Sequence, residues 1–235
     1  MLDFNRAHLS AQPINEGINA LIEQTVPASE NFRRYLGASA IGDDCLRKVQ
    51  YSWMCDPVFP MRVKDIFVRG HFFERLTRKH LKAAKFEFAP AKRLRFESAD
   101  GLFRGHADGI LTGGPQLPAL QFPALWECKC IKAKGWKAIE RDGLTGLYTI
   151  YAAQIAIYQA YLEVTNPALV SVINADTCER LHFLVPFDAP LAQLTSDRAV
   201  AVIEATRAGE LLPRVTEDAG DWRCKMCVWR DRCWS

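Results

Sequence analysis

Arg104-Gly-His-Ala-Asp108 and, past a loop rich in glycine and proline, Trp126-Glu-Cys-Lys-Cys130 are the stretches that decide the fold. Side chains on a strand alternate between two faces. Arg104, His106 and Asp108 therefore share one face of the first stretch. Glu127 and Lys129 share one face of the second, and Trp126, Cys128 and Cys130 take the other, towards a core. Two neighbouring strands of this kind aim Asp108, Glu127 and Lys129 at one spot. Sheet patterning continues around them: residues 93–97 alternate, Ala99-Asp100-Gly101 is a turn, and residues 102–111 alternate again. With 124–130 they form a meander.

Helical periods flank the meander. Ile14, Ile18, Leu21 and Ile22 mark an amphipathic first helix, and Ser29 caps a second that runs to about residue 36. Asp43 or Asp44 starts a helix carrying Cys45, Arg47 and Tyr51, which Pro57 and Pro60 interrupt. Residues 63–85 are helical, with Phe67, Phe72, Leu76 and Leu81 as core contacts and Gly70 inside. Close packing or a close ligand is the expected reason for that glycine. Residues 134–141 and 148–164 are helices, 168–175 and 180–186 are strands about a turn at Asp176, and 189–208 is a helix ended by Gly209. The tail from 212 is irregular. The order helix, three strands, helix, two strands, helix predicts an α/β fold with a mixed central sheet flanked by helices.

Carboxylates on a rigid sheet suit a hard cation such as Mg²⁺, which polarises a phosphoryl oxygen and activates water. Lysine beside them orients that water or offsets developing charge. The competing reading of an isolated E-x-K is a solvent-facing Glu–Lys pair.

Composition narrows the class. The 235 residues are 49% hydrophobic and 24% charged, ordinary globular values that exclude disordered and low-complexity chains. No apolar stretch approaches the roughly 20 residues that cross a bilayer. The N-terminus lacks the pattern of a secretory signal, so a cytoplasmic protein is expected. A net charge of +3 allows a nucleic-acid partner without arguing for one. Eight cysteines in such a chain are poorly explained by disulfides. Cys224, Cys227 and Cys233 crowd together as C-x2-C-x5-C. Closely spaced thiolates favour zinc or an iron–sulfur cluster, and both want four ligands.

The ordered set resembles the PD-(D/E)XK nuclease superfamily, with Asp108 as its first acid and Glu127-Cys128-Lys129 as its E-x-K. Arg69-Gly70-His71-Phe72-Phe73-Glu74 resembles the helix that supplies a further metal ligand in the RecB-like branch, and Gln154-Ile-Ala-Ile-Tyr158 matches that branch's Q-x-x-x-Y helix. The resemblance spans Cys45 to Cys233. It implies a restriction-endonuclease-like core that binds Mg²⁺ or Mn²⁺ through Glu74, Asp108 and Glu127. The backbone carbonyl of Cys128 and His71 are further candidate ligands. Lys129 would position water, Gln154 would hold that lysine or a DNA backbone group, and Tyr158 would stack or bond phosphate. Iron–sulfur members, among them the CRISPR-associated and AddB-type exonucleases, place one cysteine before the core and three after it. Cys45 with Cys224, Cys227 and Cys233 reproduces that split, implying a structural 4Fe-4S cluster, with Zn²⁺ as the alternative.

The expected organisation is an N-terminal helical segment (1–60), a nuclease core (61–211) and a cysteine-bearing tail (212–235). The expected activity is metal-dependent hydrolysis of single-stranded DNA or DNA ends, exonucleolytic rather than endonucleolytic. Arg47, Arg69, Arg104, Lys132, Lys134 and Trp136 are the expected DNA contacts, with Lys137 beside them, against a solvated helix face with Trp136 packed inward. The alternative is a DNA-end-binding or redox-responsive adaptor. The family works in recombination, repair, replication and CRISPR adaptation, and the short chain suits a phage protein.

Overall fold

A computed structural model describes residues 12–25, 34–55, 57 and 59–235. Helix α1 (Gln12–Thr25) and strand β1 (Leu36–Gly37) come first, then α2 (Leu46–Met54) and the long α3 (Met61–Ala83). Five strands follow: β2 (Glu87–Phe88), β3 (Arg95–Ser98), β4 (Phe103–His106), β5 (Gly109–Gly113) and β6 (Ala124–Ile131). Next are α4 (Ala133–Asp142), α5 (Leu144–Leu147), α6 (Thr149–Tyr161), β7 (Ala168–Asn174), β8 (Arg180–Val185) and α7 (Ala189–Arg207). The tail holds α8 (Trp222–Lys225) and α9 (Arg230–Trp234). The helix expected from Ser29 lies, up to residue 33, outside the described residues, and its expected end at Leu36 is strand.

The α/β class and mixed pairing expected from the sequence are both present. The strands form two sheets, in the orders β1-β4-β3 and β2-β5-β6-β7-β8. In the larger sheet only β6 and β7 run parallel, with Glu127 opposite Val170 and Lys129 opposite Val172. The expected single strand 102–111 is broken. The chain leaves the small sheet after His106 and enters the large one at Gly109, which pairs with Trp126. Alternation survives the crossing, which is why it reads as one strand.

Central strands need apolar residues on both faces. Every residue of β7 is buried. Helix α3 lies over the β6 face that carries Cys128, whose thiol meets the Thr77 hydroxyl. Helix α6 covers the opposite face, where Gln154 reaches Lys129. Sandwiched between β6 and α7, α6 is buried at each position from Ala153 to Gln159. Each fully buried large side chain, such as Ile155 or Ile157, contributes about 1.5–3 kcal/mol. Asp188 caps α7 by accepting the Leu191 N–H at 2.9 Å, and Gly209 ends it at φ +73°.

Two expectations for α3 are corrected. Its buried residues are Phe73 and Thr77, and Leu81 packs against the core as expected, whereas Phe67 and Phe72 are 48% and 52% exposed. A Cβ on Gly70 would meet nothing within 4 Å, so packing is not the reason for that glycine. Among the described residues no helix is long and apolar enough to cross a membrane.

Candidate active site

Asp108 occupies the bend between β4 and β5, one position before the Gly109–Trp126 pair, and so faces Glu127. Its carboxylate accepts the Cys128 N–H at 2.8 Å, and its own N–H donates to Glu127 Oε1 at 3.4 Å. Backbone pairing thus locks the two acids side by side. Lys129, two residues along β6 on the same face, donates from Nζ to Glu127 Oε2 at 3.0 Å and to Gln154 Oε1 at 2.9 Å. Gln154 in turn donates to the Tyr158 hydroxyl at 3.3 Å. The sequence-level set Asp108, Glu127, Lys129, Gln154 and Tyr158 is one connected network.

Electrostatics follow from burial. Glu127 has no exposed surface. Desolvation, then the Asp108 charge, pushes its carboxyl up to about 8, against the opposing pull of Lys129. Burial alone would lower the Lys129 ammonium, yet Glu127 and Asp108 together hold it above its ordinary value. Glu74, on α3, borders the same cleft as Asp108 and feels its charge. Burial and Asp108 raise its carboxyl, and His71 Nδ1 sits 3.4 Å from its Oε2. Glu74 and Glu127, both raised by burial and by the charge of Asp108 between them, form with Asp108 a donor set that a divalent cation would relieve. In this conformation no three His, Cys, Asp or Glu side chains among the described residues close into a metal-holding group.

The network opens into a cleft of about 740 Å³ lined by His71, Glu74, Arg104, His106, Asp108 and Tyr158, among others. Sequence reasoning gave no role to three residues at this site. Arg78 donates to the Asp108 carbonyl at 3.0 Å and lies over the Phe88 ring. Tyr151 places its ring 5.0 Å from Lys129 Nζ. Burial and Arg95 hold the His106 imidazole below its ordinary value at the cleft wall. Helical spacing marks the first two, since Arg78 lies four residues beyond Glu74 and Tyr151 three before Gln154.

The expected DNA contacts divide. Arg104 lines the cleft, donating to the Gly101 carbonyl and lying over the Tyr35 ring. Lys132, Lys134 and Lys137 are exposed on and before α4. Arg69 lies close enough to Cys130 to pull its thiol down against the rise that burial causes. Arg47 is architectural, donating from Nε to the Leu212 carbonyl at 2.7 Å. Trp136 is buried inward, so it offers no stacking face.

Away from the cleft, Cys45, Cys224, Cys227 and Cys233 line one cavity of about 250 Å³ with Lys48, Arg214 and Arg223. Cys45 precedes α2 rather than sitting on it, and its N–H is held by Asp43 at 3.0 Å. Burial raises the Cys227 thiol, with Cys45 and Cys233 close enough to add to the shift. All four are free thiols, and Cys55, Cys128, Cys130 and Cys178 do not reach this cavity.

No protein-family profile and no curated protein matches the sequence. Solved structures do. SSO0001 is 15% identical over 94% of this chain and 96% of its own, with a TM-score of 0.46. The alkaline exonuclease LHK-Exo of Laribacter hongkongensis is 12% identical over 76% of this chain and 90% of its own, with a TM-score of 0.54. At that identity the likeness is one of fold. The chain has a nuclease-like fold, similar to that of this alkaline exonuclease.

Proposed function

We propose that this protein is a metal-dependent DNA nuclease of the PD-(D/E)XK kind, acting on single strands or DNA ends. The observation that carries the proposal is the Asp108–Glu127–Lys129–Gln154 network at the floor of an open cleft, in a nuclease-like fold. Glu74, Asp108 and Glu127 would hold Mg²⁺ or Mn²⁺, with the Cys128 carbonyl and His71 as further donors. The bound cation would polarise the phosphoryl oxygen and lower the pKa of water. Lys129, fixed by Glu127 and Gln154, orients the attacking water and offsets charge on the phosphoryl group. Tyr158 bonds phosphate from the cleft wall. Water attacks phosphorus and gives up a proton to solvent, one P–O bond breaks, and the leaving oxygen takes a proton from solvent.

The four gathered cysteines support a separate proposal, a structural 4Fe-4S cluster with zinc as the alternative. They are soft donors in one half-buried cavity, and Lys48, Arg214 and Arg223 offset thiolate charge there.

End-labelled single- and double-stranded DNA, incubated with anaerobically purified protein with and without Mn²⁺, tests the activity. Cation-dependent shortening is expected. Binding without cleavage at any cation concentration would instead identify an adaptor.

A further inference from the structure

We propose that the outward face of α3 is a stacking platform for unpaired bases, leading single-stranded DNA into the acidic cleft. The inference deepens the nuclease reading and rests on it. Phe67 and Phe72, 48% and 52% exposed, are large apolar rings on a helix whose buried face is already filled by Phe73 and Thr77.

Helical spacing places them. Residues three and four apart share a stripe, so Phe67, His71, Glu74 and Arg78 form one line along α3. His71 and Glu74 of that line border the cleft, so Phe67 lies one turn beyond it. The next stripe runs Val68, Phe72, Arg75, Lys79, with no carboxylate, and all four are exposed. Both rings are braced by a nearly perpendicular neighbour. Phe67 stands 5.2 Å from Phe59 and Phe72 stands 5.5 Å from Phe73, which fixes their orientation before anything binds.

Aromatic faces beside cationic side chains match a single strand, which offers bare base faces along a line of phosphates. A duplex hides its base faces. A purely apolar partner would leave Arg75 and Lys79 unanswered. Continuity with the cleft decides between the remaining occupants, because a strand on these stripes runs past Glu74 towards Asp108.

The test uses the whole protein without divalent cation and two fluorescent ligands, a 15-mer oligo(dT) and a blunt hairpin duplex. Phe67→Ala and Phe72→Ala should each weaken oligo(dT) binding about tenfold or more. Their hairpin affinity should stay within about twofold, and their Tm should stay close to wild type because the rings are exposed. Phe67→Trp and Phe72→Trp should keep the affinity, and the new indoles should be quenched when oligo(dT) binds. Unchanged oligo(dT) affinity in both alanine variants would overturn the platform, as would an equal loss for hairpin. A wild-type dimer that both alanine variants dissociate, with DNA affinity intact, would overturn it too and assign the face to a second copy. Cleavage with Mn²⁺ is measured in parallel. Ring-dependent binding by a wild-type protein that never cleaves refutes the nuclease reading alone. Ring-independent binding by an active protein refutes the platform alone.

Discussion

Glu127 is enclosed between the Lys129 ammonium and the Asp108 peptide N–H, with no surface of its own. An ionised carboxylate there is stable only while those partners, or a cation, answer it. Asp108→Asn, Glu127→Gln and Lys129→Ala should each lower cleavage by about 10²-fold or more, with the circular dichroism of the fold intact. The two carboxylate changes should also weaken Mn²⁺ binding, whereas Lys129→Ala should spare it. Wild-type rates in any of the three would remove the assignment. Acidity gives a second prediction. The folded pKa of Glu127, about 8, lies above its ordinary 4.5, so the folded state binds more protons than the unfolded state between those values. Stability of the cation-free protein should therefore fall as pH rises through that window and level off above it. A cation competes with the same proton, so Mn²⁺ affinity should climb towards pH 8. Thermal melts and Mn²⁺ titrations from pH 6 to 9 check both slopes, and Glu127→Gln should flatten them. The period-two rule made Asp108, Glu127 and Lys129 legible, whereas Gln154 and Tyr158 were marked only by the resemblance to a Q-x-x-x-Y helix, a spacing that helices contain by chance. The full burial of Glu127 was not, because alternation assigns a face without saying that both faces of β6 are covered.

Elements carry the site on two scaffolds, β6 and α6, held in register by a loop. In that loop a Cβ on Gly42 would stand 2.7 Å from Ile150 Cα and 2.8 Å from Ala153 Cβ. Backbone cannot give way at such distances, so Gly42→Ala must push α6 outward, and α6 carries Tyr151, Gln154 and Tyr158. Overpacking of this kind costs about 1–3 kcal/mol, or about 2–4 °C of Tm for each kcal/mol in a chain of this size. The variant should melt several degrees lower and cleave more slowly. Gly70→Ala has open space around its Cβ and should instead stabilise α3 by up to about 1 kcal/mol. Differential scanning calorimetry and turnover rates on the two variants separate these outcomes, and a Gly42→Ala protein of wild-type stability and rate would show that α6 is not so held. The error over α3 was avoidable. Phe72 follows Phe67 by five positions, a rotation of about 140° on a helix of 3.6 residues per turn, so an inward face centred on either ring turns the other to solvent, and the two instead flank a broad outward face. The break at Asp108 was not avoidable, since its only sign is a change of pairing partner that no local pattern records.

At the scale of the whole molecule, the C-terminal segment returns to α2. Gln50 donates to the Glu210 carbonyl at 2.6 Å and accepts the Leu212 N–H at 2.9 Å, while Arg214 donates to the Cys233 carbonyl at 2.6 Å. The expected irregular tail is therefore a strap with two short helical turns, whose course no period in the sequence dictates. The cysteine cavity lies where strap, α2 and the start of α6 join, lined also by Thr149 and Ile150. A cluster there would tie residue 45 to residue 233 and close most of the chain into a loop. By loop entropy such a tie is worth at most about 5 kcal/mol, since strain and residual unfolded structure reduce it. A typical domain has about 5–15 kcal/mol in total. Anaerobically purified protein should thus be brown, with iron and acid-labile sulfide; a colourless protein with one zinc would select the alternative. Cys45→Ala, Cys224→Ala, Cys227→Ala and Cys233→Ala should each lose the cofactor and become protease-sensitive along the strap. Cys55→Ala and Cys178→Ala, outside the cavity, should keep both cofactor and resistance. Because the hydrogen bonds from Gln50 and Arg214 remain, the four sensitive variants should be cut first in the strap, with the sheet core resisting longer. Iron content and limited proteolysis across the six variants measure this, and a Cys45→Ala protein with full iron would place the fourth ligand elsewhere.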